Sequence, residues 1–74
     1  MLAYGDCVRL KASVSVWHYQ ETPRFSLASV LYKLQQKQTR GTVRRVDNST
    51  GAVGVLFPGM RDFVWFKEYE LEKC

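Results

Sequence analysis

A small all-β fold of five short strands, curled into a partly open barrel with a long early loop, is what this chain predicts. Three observations carry that prediction. Apolar and polar residues alternate at Cys7 to Lys11 and again from Gly41 onward. Turn-forming clusters, Asp47 to Gly51 and Pro58-Gly59, separate the later runs. The whole chain is only 74 residues long. Period-two alternation sends successive side chains to opposite faces of a strand, and in so small a chain a barrel buries one face of each strand while leaving few open edges.

Gly5-Asp6 opens the first strand, Cys7 to Lys11, where Val8 and Leu10 share the inner face and Cys7, Arg9 and Lys11 the outer. Ala12 to Gln38 is the long early loop. It begins with an extended run, "SVSVWHYQE", Ser13 to Glu21, with Val14, Val16 and His18 on one side and Ser15, Trp17 and Tyr19 on the other. Pro23 ends it, having no amide hydrogen to donate and pushing Thr22 toward extended or turn geometry. In Phe25 to Gln38, Leu27, Val30, Leu31 and Leu34 recur at helical spacing and Ser26 or Ser29 is placed to cap. Val30-Leu31-Tyr32 fits extended chain as well, and a loop containing a short helix is the favoured reading.

The second half is sharper. "RGTVRRV" starts a strand at Gly41, and its "TVRRV" breaks the alternation, which calls for a bulge or a strand end. Asp47 to Gly51 is a hairpin loop. In "AVGVLF", Val53, Val55 and Phe57 lie opposite Ala52, Gly54 and Leu56. Phe63 to Phe66 is the next strand, Lys67 to Tyr69 a short connection, and Leu71 the centre of a last short strand. A long early loop, one tight hairpin and a turn before the final strand are the outline of an SH3-like barrel. Its expected core is Val8, Leu10, Val14, Val16, Val43, Val53, Val55 and Leu71.

One domain, residues 1–74, accounts for this length. No stretch approaches the roughly 20 apolar residues of a transmembrane helix, and "MLAYGDCVRL" lacks the pattern of a secretory signal, so no membrane insertion and a cytoplasmic setting are expected. The net charge of +4 favours acidic partners. Cys7 and Cys74 lack metal-site spacing and, in a reducing compartment, are expected as free thiols. His18 has no Ser/His/Asp or Cys/His signature around it and is expected to pack inward beside Val14 and Val16. Glu68, Glu70 and Glu72 read as a solvated edge, and no phosphate-binding glycine motif is present. Catalytic residues, cofactor and metal are therefore all expected to be absent, and the chain is not expected to be an enzyme.

What remains is surface. "FVWF" is apolar on both faces, with Phe63 and Trp65 on one and Val64 and Phe66 on the other, and Trp17 with Tyr19 repeats the theme. The expected partner-binding patch consists of Trp17, Tyr19 and Trp65 rimmed by Arg24, Arg44, Arg45 and Arg61. Aromatics beside arginines suit a protein interface, the leading reading, and also nucleic acid, where bases stack and phosphates pair with Arg.

The string "GDCVRLKASVSVWHYQE" resembles the amino-terminal strand pair of the variable subunit of ferredoxin:thioredoxin reductase, through Gly5, Val8-Arg9-Leu10, Val14, Val16, Trp17 and His18. Gly41-Thr42-Val43 and "FKEYELE" are similar to later strands of that family, whereas Ala28 to Gln38 and the short "DNSTG" hairpin depart from it. "AVGVLFPGMRDFVWFKEYELE" also looks like the end of small SH3-like subunits of the photosynthetic NAD(P)H dehydrogenase, and the outline is similar to the stromal SH3-like subunit of photosystem I. These resemblances imply a non-catalytic accessory subunit docked on a larger ferredoxin-linked redox complex, in the plastid stroma if the source is a photosynthetic eukaryote. The plasmid-borne SH3-like dihydrofolate reductases share the "GDxVRxK" opening, but their V-Q-I-Y strand has no good counterpart in "FVWFKEY".

Overall fold

The computed structural model describes residues 2–19, 21–22 and 25–74, the side chains of Glu21, Thr22 and Phe25 excepted. In chain order the elements are β1 (Cys7–Leu10), β2 (Glu21–Thr22), β3 (Phe25–Ser26), α1 (Leu27–Gln36), β4 (Gly41–Val46), β5 (Ala52–Leu56), β6 (Val64–Lys67), a 3-10 turn (Glu68–Glu70) and β7 (Leu71–Lys73). Among the described residues, five strands form one antiparallel sheet in the order β6-β5-β4-β1-β7, and β2 with β3 makes a separate small hairpin. The sheet curls without closing, so β6 and β7 stand at its two edges. This is the small, partly open all-β barrel that the sequence predicts, with its long loop, hairpin and penultimate turn at the expected places. No helix among the described residues is long and apolar enough to cross a membrane.

Alternation builds the core. Val8, Leu10, Val16, Val43, Val53, Val55 and Leu71 are buried as expected, Val14 is half-buried, and Phe57 and Phe66 complete the cluster edge to face at 6.0 Å. The broken pattern of "TVRRV" is a bulge, because the register shifts between Val43, paired with Val55, and Arg45, paired with Gly54. Both arginines are thereby exposed. Gly41 is a packing glycine: a Cβ there would stand 2.7 Å from Val55 Cγ1 and 2.9 Å from the Phe57 ring.

The long connection corrects the extended run expected over Ser13 to Glu21, of which Gln20 lies outside the described residues and Glu21 opens β2. From Ala12 to Tyr19 the chain runs in turns and bends, with Val14 N–H donating to Lys11 O at 3.4 Å and Tyr19 N–H to Val16 O at 3.2 Å. Turns do not keep a two-residue phase. His18 accordingly faces solvent with its side chain 60% exposed, and Tyr19 packs against the core, the reverse of the expected orientations.

Side chains at and just beyond the end of α1 serve carbonyls at the end of β1 and in the connection. Gln35 Nε2 donates to Lys11 O and Val14 O, both at 2.7 Å, and Gln38 Nε2 to Leu10 O at 3.1 Å. The short helix of the favoured reading is α1, where the Ser26 hydroxyl accepts from Ser29 N–H and Ala28, Leu31 and Gln35 are buried.

The free thiols expected of Cys7 and Cys74 are also corrected, since the two are joined in a disulfide with Cα atoms 5.4 Å apart. Strand pairing is the reason. β7 lies antiparallel to β1, with Val8 opposite Lys73, and Cys74 N–H donates to Cys7 O at 3.0 Å.

Candidate functional site

The outer face of the sheet gathers part of the expected patch in a single row. Arg45 on β4 pairs with Gly54 on β5, which pairs with Trp65 on β6, so these three positions cross the sheet side by side. Gly54 leaves room for an aromatic ring, because a Cβ there would stand 2.7 Å from Cδ1 of Phe63. The Phe63 ring meets Trp65 edge-on at 5.3 Å, and the Arg45 guanidinium lies 5.6 Å from its centroid. That is a cation–π stack continued by an indole. Trp65 stays 45% exposed although the core beneath it is complete.

Beside Trp65 a shallow cleft of about 280 Å³ leads to the long connection, with His18 and Tyr19 on its wall and Lys67 and Glu70 also lining it. Glu70 is a buried carboxylate whose oxygens are engaged from three sides. Its Oε1 accepts from Tyr19 Oη at 2.8 Å and from Lys67 N–H at 2.9 Å, while Oε2 lies 3.5 Å from His18 Nε2. Burial, and then the hydrogen bond to Glu70 and its negative charge, hold the Tyr19 phenol well above its ordinary pKa. The Tyr19 ring also packs on Phe66 at 5.4 Å. Glu70 thus fastens the long connection to the 3-10 turn, which makes it a positioning group and not the solvated edge residue expected.

The remaining expected residues are dispersed. Trp17, 55% exposed, packs at 5.1 Å on Tyr32 of α1. Arg44 lines a hollow beside Thr42 and Pro58, and Arg61 lines an apolar cleft beside α1. Arg24 lies outside the described residues. Arg45 and Trp65 are brought together, then, and Tyr19 is turned inward. Phe63 stands between Arg45 and Trp65, as the shared face of Phe63 and Trp65 in "FVWF" allowed. Tyr32 and Glu70 were missed, because nothing local in the sequence couples either to residues far along the chain.

Among the described residues, no three His, Cys, Asp or Glu side chains gather in a way that would hold a metal ion. Compared with protein-family models, curated proteins and solved structures, the chain finds no match.

Proposed function

We propose that this protein is a non-catalytic interaction module that docks onto a larger, acidic protein partner through the Arg45–Phe63–Trp65 face. The observation that carries the reading is that row itself: an aromatic and cationic surface, seated on Gly54, over a core that is already complete without it. Exposed Trp and Arg side by side are the usual anchors of protein interfaces. Absence of catalysis is part of the proposal, supported by the engagement of Glu70 with Tyr19 and the Lys67 backbone. A ferredoxin-linked redox complex is the setting that the sequence resemblances propose. The Cys7–Cys74 bridge favours an oxidising environment over the reducing cytoplasm taken as the default.

Native co-purification with the wild type and with an Arg45→Ser/Trp65→Ser double variant tests the reading. A defined complex that forms with the wild type and is lost with an equally stable variant is the expected result. Titration with nonspecific DNA and RNA supplies the opposing outcome. Binding that falls steeply with salt and disappears in the double variant would make the face a nucleic-acid surface instead.

A further inference from the structure

We propose that the open edge of β6 takes up an extended, acidic and apolar segment of the partner as an added strand, a mode that rests on the interaction-module reading above. The argument starts from the direction of backbone groups. Asp47 N–H donates to Ala52 O, so Ala52 turns its backbone toward β4 and away from its β6 neighbour Lys67. Lys67 N–H correspondingly donates to Glu70 and not to β5. Hydrogen-bonding direction alternates along a strand. Trp65, two residues back and opposite Gly54, therefore points its N–H and C=O outward, and no described residue meets them.

Of the devices that usually protect such an edge, β6, Val64-Trp65-Phe66-Lys67, has its shortness and the charge of Lys67 at one end, but no proline and no bulge in its register with β5. Glu70, by occupying Lys67 N–H, fixes where an added strand must stop.

Both sides of the edge suit alternating side chains. Toward the barrel interior, an apolar cleft of about 570 Å³ runs between Leu27 and Val30 of α1 and Met60 and Val64, with Arg61 and Asp62 also lining it. On the outer side stands Trp65, with Phe63, which also lines the cleft, beside it. An added strand would turn one set of residues into the cleft and the other against the aromatics. Charge selects the occupant. A second copy of this chain would bring two molecules of net charge +4 together and set Trp65 against Trp65. Arg61, Lys67 and Arg45 around the edge outnumber the carboxylates lining its clefts, Asp62 and the buried Glu70, and call for glutamates or aspartates flanking an apolar residue.

The test uses the full-length protein and three synthetic peptides: Glu-Val-Glu-Val-Glu-Val-Glu, its Lys-for-Glu counterpart, and the acidic peptide N-methylated at alternate residues. The expected results are binding of the acidic peptide alone, hydrogen-exchange protection gained at the Trp65 amide, and a loss of about tenfold or more in affinity on N-methylation, since each methyl removes a main-chain donor. Trp65→Ala should keep part of the binding and Trp65→Pro should abolish it, because only proline removes the outward N–H. Equal binding of the N-methylated peptide, or no protection at Trp65, would overturn strand addition while the co-purification result still stood or fell on its own. Binding of none of the peptides, or concentration-dependent dimers in which Trp65 is protected without peptide, would overturn it too.

Discussion

The two edges of the sheet are finished in opposite ways. β7 is short and polar. It is tied to β1 by the Cys7–Cys74 bridge, by Arg9 Nε donating to Glu72 Oε1 at 3.0 Å, and by Lys73 Nζ at 3.6 Å from Asp6 Oδ2. β6 carries Trp65 half-exposed beside Phe63, with an outward backbone and an apolar cleft alongside. A chain this small has little core to support both stability and recognition. The contrast teaches that it separates them, pinning one edge strand to its neighbour for stability and leaving the other to present an aromatic surface for contact.

The largest expected effect tests whether β6, open outward, is nonetheless anchored inward. Phe66→Ala removes a ring that packs on Phe57 and Tyr19, and chemical denaturation should show a loss of about 3–5 kcal/mol. A cost below about 1 kcal/mol would mean that β6 is not integral to the core. Next comes the staple on the other edge. Cys7 and Cys74 are 67 positions apart, and closing a loop of that size confines the unfolded chain by about 4 kcal/mol in the entropic account. Cys7→Ser/Cys74→Ser, or reductant, should lower stability by about 2–4 kcal/mol, and alkylation of the untreated denatured protein should add no label. Two labels would show the thiols free and remove the asymmetry.

Tyr19→Phe deletes one hydrogen bond to the buried Glu70 and should cost about 1.5–3 kcal/mol, the range for bonds to charged groups. The same variant carries a pH signature. The Tyr19 phenol is raised above its ordinary 10.0 in the folded state, so its contribution is present below that pH and lost as the unfolded chain ionises above it. Wild-type stability should fall more steeply than that of Tyr19→Phe above about pH 10. Parallel alkaline curves would sever Tyr19 from Glu70. Smallest are the changes on the two exposed surfaces. Arg9→Ala breaks a partly exposed ion pair and Trp65→Ala removes an outward ring, and each should shift stability by less than about 1 kcal/mol. Only Trp65→Ala should affect binding.

The sheet was legible because its information is local. Val8 and Leu10, or Val53 and Val55, declare their inner face within a few residues. "FVWF" declared two apolar faces for the same reason, and the row of Phe63 and Trp65 follows from it. The run from Ser13 shows the limit of that reasoning. Its alternation is as strict as any in the chain, but a strand needs a neighbour, and here the backbone bonds into turns and to Gln35 instead. The inversion of His18 and Tyr19 follows from that one fact. Glu70 looked like one of three surface carboxylates until the fold brought Tyr19 to it from 51 positions away. The disulfide escaped because a compartment argument outweighed the pairing of the terminal strands.

That bridge also changes how the molecule meets a pulling force. Tension applied to any chain attached before Cys7 and after Cys74 enters at one sulfur and leaves at the other, across Cα atoms 5.4 Å apart. The strands, the helix and the open edge of β6 all lie inside the covalent ring and carry none of it. A barrel wired in this way can sit between two loads as a link whose recognition face keeps its shape while the covalent bond bears the strain.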